Sequence, residues 1–243
     1  MATVLEAGDI VLRYPQAEQP VLDQFALQVA PGEFVAIVGG SGVGKSTLLR
    51  VLAGLLTPEK GWITLDAAQR TDRRRRAIVF QDGRLMPWRT LADNVSYGLE
   101  GLKLSKSQRI ARIDEVLRLT GLADFKDRYP HQLSGGQIQR AGIARALAVE
   151  PDILLMDEPF SAVDALTRES LQDELLRVWQ LSGKAVVFVT HDIGEAVLLA
   201  DRVIVLSGSP AAIVLDKTID LQRPRTRGTA QAAKIVKEIG QAL

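Results

Sequence analysis

Two short stretches of this chain hold residue types that handle phosphate. Gly39-Gly40-Ser41-Gly42-Val43-Gly44-Lys45-Ser46 has the spacing G-x-x-x-x-G-K-[ST]. Glycines at those positions let the backbone curl until successive N–H groups face one anion. Lys45 adds a full positive charge for β- and γ-phosphates. The Ser46 hydroxyl, followed by Thr47, is a hard oxygen donor suited to Mg²⁺. The plain alternative is a glycine-rich turn that happens to contain Lys-Ser. Context argues against it: the apolar run Phe34–Val38 reads as a buried strand before the loop, and Ser46–Leu56 as a helix after it. That helix aims the positive end of its dipole at bound phosphate. The loop predicts a nucleoside-triphosphate site and leaves its class open among kinases, GTPases, motors and transport ATPases.

The second stretch is Ile153-Leu154-Leu155-Met156-Asp157-Glu158-Pro159, an apolar strand ending in two acids. Ligands of open α/β sheets lie beyond the carboxyl ends of strands, so these acids stand where a metal is organised. Asp157 suits the holding of Mg²⁺, directly or through water. Glu158 suits the polarising of an attacking water as general base. Two acids at a turn would by themselves read as a solvated corner. The phosphate loop upstream gives them a task.

Positioning such residues requires an α/β core. Val4–Tyr14 and Val21–Val29 alternate apolar and polar residues, as half-exposed strands do. Later apolar runs at Ala77–Phe80, Ala185–Thr190 and Arg202–Leu206 read as strands, with helical patterns at Ala165–Leu181 and Gly194–Ala200 between them. Alternating strand and helix implies a mostly parallel sheet, preceded here by an N-terminal antiparallel β subdomain. From about residue 87 to 150 the pattern turns helical, which predicts an inserted α-helical subdomain in one domain spanning 1–243. Within it Ser105 opens a capping box with Gln108, and Ile110, Ile113, Val116 and Leu117 fall on one face. Ala230–Leu243 reads as a terminal amphipathic helix with Ile235, Val236 and Ile239 inward.

Composition bounds the partners. The chain has 243 residues, is 47% hydrophobic and 24% charged, and carries a net charge of +1. So small a charge supplies no global field for nucleic acid. Cysteine is absent, which removes disulfides, thiolate metal sites and thiol nucleophiles and suits a cytoplasmic setting. Met1 to Ala30 intersperses Glu6, Asp9, Arg13 and Glu18 and does not read as a signal peptide. No run approaches the roughly 18 apolar residues of a membrane span, so any membrane part is expected from another polypeptide.

Leu133-Ser134-Gly135-Gly136-Gln137 narrows the class to a family. Ser134 and two glycines open a helix, Gln137–Val149, and so offer a second anion site far from the first. With it the sequence resembles the nucleotide-binding domains of ABC transporters over nearly its whole length. The resemblance implies a P-loop NTPase (RecA-like) core, ATP as substrate, Mg²⁺, and a head-to-tail homodimer in which Ser134–Gln137 of one copy completes the ATP site of the other. It also assigns roles in the family's order. Tyr14 resembles the aromatic that stacks on adenine, and Gln81 the glutamine that ligates Mg²⁺ and senses the γ-phosphate. Ser161-Ala162-Val163-Asp164 resembles the D-loop, with Val163 where leucine is usual. His191 resembles the switch histidine at the γ-phosphate. His131 matches no such position and reads as structural.

The segment Gln81-Asp82-Gly83-Arg84-Leu85-Met86-Pro87-Trp88 resembles ATPases of the nitrate/sulfonate/taurine importer group. The likeness implies separate membrane permease subunits contacted near Leu85, Met86 and Trp88, an extracytoplasmic solute-binding protein acting indirectly, and a place on the cytoplasmic face of the bacterial inner membrane. A non-transport ABC ATPase on ribosomes or DNA, or an exporter subunit, is the alternative. The run Arg73–Arg76 invites a nucleic-acid reading, but Asp66 and Asp72 lie near it and no aromatics interleave, so a solvated edge and no nucleic-acid partner are expected.

Overall fold

The computed structural model describes residues 3–65, 71–161 and 163–243. Met1, Asp66 and Ala162, which figure in the sequence reading, lie outside the described residues. The chain forms two compact units, Met1–Asp66 with Ala185–Leu243, and Ala67–Lys184.

In the first unit β1 (Leu5–Leu12) pairs antiparallel with β2 (Leu22–Val29) on one side and β4 (Lys60–Leu65) on the other. β1 is shorter than its alternation suggests. It ends at Leu12 and leaves Tyr14 exposed on the loop beyond. Residues of β2 alternate buried and exposed, as a one-sided sheet requires. The other sheet of this unit runs in the order β7 (Ala185–Thr190), β3 (Phe34–Gly39), β8 (Arg202–Ser207), β9 (Ala212–Thr218). β3 is parallel to both neighbours, and β9 closes the edge antiparallel to β8. Every residue of β3 and β7 is buried, which accounts for their unbroken apolar sequences. Phe34 meets Phe188 edge to face at 6.1 Å, and each such buried side chain contributes roughly 1.5–3 kcal/mol. Helices α1 (Lys45–Leu52), α6 (Ile193–Leu199) and α7 (Ala230–Gly240) complete the unit. α1 is shorter than the expected Ser46–Leu56, because the chain turns at Gly54 with φ +71. In α7, Ile239 is buried and Ile235 and Val236 are half-buried, as its pattern predicts.

The second unit holds the parallel pair β5 (Arg76–Val79) and β6 (Ile153–Asp157) with helices α2 (Leu91–Gly98), α3 (Lys106–Leu119), α4 (Gly135–Ala148) and α5 (Ala165–Ser182). The Ser105–Gln108 capping box is present at the start of α3. Val116 and Leu117 face the core, but Ile110 is exposed, because only the C-terminal half of α3 is covered. The arginine run is not a solvated edge. Arg73 pairs with Asp152 at 2.7 Å, Arg74 donates to the Glu100 carbonyl at 2.9 Å, and burial lowers the pKa of Arg76, with Arg75 as a second cause.

Candidate functional site

In the first unit β3 runs directly into the glycine loop and α1 leaves it. Gly44 takes the cap position of α1 with φ +108, a conformation closed to most side chains, and a Cβ there would sit 2.7 Å from Val21. No side chain caps this helix. Among the described residues the other α-helices are each capped by a side chain: Thr90, Ser105, Ser134, Asp164, Asp192 or Thr229. The cap position of α1 thus supplies no side-chain oxygen to the first turn, unlike those of the other described α-helices.

Lys45 is 6% exposed, and its ammonium donates to the carbonyls of Gly39 and Gly40 at 2.8 and 2.9 Å. These bonds hold a buried cation beside the uncapped helix end, where an anion gains from both. Gly40, Ser41 and Gly42 are exposed along the loop, while Val43, Ser46 and Thr47 are half-buried. The Tyr14 hydroxyl lies 3.1 Å from Thr47 Oγ1, so the exposed ring is tied to the first turn of α1. His191 is exposed at the end of β7. The neighbours of His191 are fixed by a small network. Thr190 Oγ1 donates to the buried Glu195 carboxylate at 2.8 Å and accepts from the Asp192 N–H at 3.0 Å, and Asp192 caps α6 through Glu195 N. Asp192-x-x-Glu195 was a legible capping signal that the sequence reading passed over.

In the second unit Ser134 opens α4 with a complete capping box. Its Oγ accepts from Gln137 N at 3.3 Å, and Gln137 Oε1 accepts from Ser134 N at 2.8 Å. Gly136 is buried, and a Cβ on it would meet Thr167 at 3.0 Å, so close packing of α4 on α5 demands glycine there. Gly135 is exposed, and a Cβ would reach only ordinary contact with Val163 at 3.8 Å. The body of α4 grips the segment after Gln81. Gln139 donates to the Phe80 carbonyl at 3.4 Å, and Arg145 to the carbonyls of Gly83 and Arg84 at 2.7 Å each. Gln81 itself is exposed. Arg145 is a positioning group that no motif revealed, since an arginine inside a helix looks like surface.

Asp157 ends β6, and Glu158 breaks the strand with φ +44, an uncommon value for a residue with a side chain. Ser161 holds that turn by donating from both Oγ and N to the Glu158 carbonyl, at 2.8 and 3.2 Å. Backbone strain of this kind collects where function fixes a side chain. The oxygen donors singled out for metal are Ser46, Gln81 and Asp157, a hard set that fits Mg²⁺ and no soft metal. No group of three or more His, Cys, Asp or Glu residues able to hold a metal occurs among the described residues.

Beyond Gln81, Leu85 and Met86 are half-buried and Trp88 is 73% exposed. Asn94, fully buried, fixes this loop through the Met86, Arg89 and Thr90 carbonyls. His131 stacks on Tyr129 at 5.9 Å. No helix among the described residues is long and apolar enough to cross a membrane.

The family model described as "ABC transporter" matches residues 22–161. The taurine import ATP-binding protein TauB of Pseudomonas syringae pv. tomato is 44% identical, covering 96% of this chain and 89% of its own. The aliphatic sulfonates import ATP-binding protein SsuB 1 of Xanthomonas axonopodis pv. citri is 48% identical over 88% and 85%. Among solved structures, the dimeric post-hydrolysis state of the ATP-binding cassette MJ0796 bound to ADP and Pi superposes with a TM-score of 0.75 at 32% identity, covering 90% of this chain and all of that one.

Proposed function

The chain belongs to the ABC transporter family of ATP-binding, ATP-hydrolysing subunits, and on that premise we propose that it powers import of a small anionic solute of the sulfonate, taurine or nitrate kind. The carrying observation is α1, the α-helix among the described residues that lacks a side-chain cap, with the buried Lys45 ammonium held at its start. In this reading Gly39–Thr47 bind the triphosphate, Tyr14 stacks on adenine, and Ser46, Gln81 and Asp157 hold Mg²⁺. The metal, when bound, neutralises charge on the transferring phosphoryl group. Glu158 takes a proton from the attacking water, and His191 steadies the γ-phosphate.

Ser134–Gln137 of a second copy complete the site. The Ser134 oxygen already accepts from Gln137 N, so its O–H remains the donor toward phosphate, beside the exposed N–H of Gly135. Trp88, with Leu85 and Met86, offers the apolar contact for a permease subunit on the cytoplasmic face of the membrane. Neither the solute nor its binding protein is touched by this chain. The assignment is tested with Glu158→Gln, measuring ATP turnover and ATP-driven dimerisation together. Turnover should vanish while the dimer persists; a variant hydrolysing at the wild-type rate refutes Glu158 as the base.

A further inference from the structure

Helix α6 follows His191 and is only seven residues long. Such a helix has no stability of its own, so its position is set by what holds its ends. Its C-terminus leaves the carbonyls of Val197, Leu198, Leu199 and Ala200 seeking donors. Two arginines from the segment after β9 supply them all. Arg225 Nη1 donates to Val197 O, Ala200 O and Leu198 O at 2.7, 2.5 and 3.4 Å. Arg223 gives both terminal nitrogens to Leu199 O, at 2.9 and 2.8 Å, and pairs with Asp201 at 2.5 Å.

The same Arg225 guanidinium turns back on its own segment, donating to Leu221 O at 3.0 Å and Ile219 O at 3.2 Å. One side chain therefore staples the C-terminal segment to the end of α6. Burial, then the like charge of Arg223, pulls the Arg225 pKa down to about 10, which still leaves it cationic at neutral pH. Cations at a helix C-terminus gain from the helix dipole as well. The other end of α6 is covered by the same segment: α7 packs on α6, and Gly240 comes so close that a Cβ there would lie 3.6 Å from Ile193. Ile193 is the first residue of α6, next to the cap Asp192 that orients the chain at His191.

We propose that residues 219–240 act as a clamp on α6, with Arg225 as a positioning residue that sets His191 for its contact with the γ-phosphate. The clamp rests on the reading of His191 given above. Releasing Arg225 lets α6 shift along its axis and carries Asp192 and His191 with it. Such a displacement lowers the rate of the chemical step and leaves ground-state binding of ATP intact.

The test uses the full chain and four variants: His191→Ala, Arg225→Ala, Arg225→Lys and the double variant His191→Ala/Arg225→Ala. Arg225→Ala should lower kcat about tenfold with KM for ATP changed less than about twofold. In the His191→Ala background it should add no further loss, because the two act as one unit. Arg225→Lys, a point charge without the fork, should recover part of the rate. The chain has two histidines, so His191 and His131 give two imidazole signals by NMR. Arg225→Ala should move the His191 signal and leave that of His131 in place. If Arg225→Ala does not fold, Arg225→Lys carries the same comparisons. Independent, multiplicative losses in the double variant, or an unmoved His191 signal, overturn the clamp. Wild-type turnover by His191→Ala overturns instead the role of His191 on which the clamp rests.

Discussion

Helices α1 and α4 both start at glycine-containing phosphate motifs, yet they begin in opposite ways. α1 has Gly44 at its cap and no side-chain acceptor, with a buried lysine alongside. α4 satisfies itself through the reciprocal Ser134–Gln137 box and exposes Gly135 at its tip. The first suits an anion, and three of its glycines are demanded locally: Gly42 and Gly44 by positive φ, Gly39 and Gly44 by the neighbours Leu206 and Val21. The second is stable with nothing bound, and the space over Gly135 is kept clear by the lack of a side chain rather than by strain. In the proposed head-to-tail dimer, a primary site and a docking half-site call for these different solutions.

The sharpest way to break the comparison is to mix two dead proteins. Lys45→Ala alone and Gly135→Asp alone should each lose nearly all turnover. If each ATP site takes its loop from one copy and its signature from the other, a mixed dimer holds one intact site. Equal mixing puts about half of the dimers in that state, so turnover should reappear from two inactive stocks. A mixture as inactive as its components sinks the head-to-tail arrangement.

Next in size is nucleotide affinity. Lys45→Ala should weaken ATP binding to the isolated chain about tenfold to a hundredfold, read by nucleotide titration, because a charge-assisted contact is lost. Ser134→Ala should leave that affinity unchanged, since the self-capped end is not part of the primary site. In the isolated chain its effect belongs to stability, where losing the cap costs about 1 kcal/mol and lowers Tm by a few degrees.

The smallest effect separates the units by pH. Glu174 in the second unit has its pKa lowered by the hydrogen bond from Arg177, at 2.7 Å, and by that charge. Its stabilisation is present above the unfolded carboxylate range and is lost as pH falls through the lower folded value. Both side chains meet solvent, so the contribution is no more than about 0.5 kcal/mol. Glu174→Gln should flatten that part of the acid denaturation curve.

Much of this was legible from residue type and spacing. The strand–loop–helix around Lys45, the acids after Met156 and the boxes at Ser105 and Ser134 all depend on neighbours within a few residues. The antiparallel edge strands β4 and β9 were missed. Lys60–Leu65 is largely exposed and becomes a strand by pairing with β1, where Trp62 lies against Gly8, although Trp62-Ile63-Thr64 carries β-prone residues. Ile213 and Val214 gave a similar signal in β9. Ile110 was misread because periodicity marks a helix face but not how far along the helix that face is covered.

The sequence by itself determined which groups are the candidates for the chemistry, since the glycine loop, the paired acids and the signature are short-range patterns whose spacing fixes their local geometry. Tertiary structure alone decided who holds those groups. The Tyr14 hydroxyl meets Thr47, Arg145 grips the loop after Gln81, and Arg225 closes the end of the helix that follows His191. Arginine looks the same in sequence whether solvated or buried, and Arg73–Arg76 and Arg225 show why. A guanidinium's partners are backbone carbonyls and carboxylates brought near by the path of the chain, and no periodicity records that path.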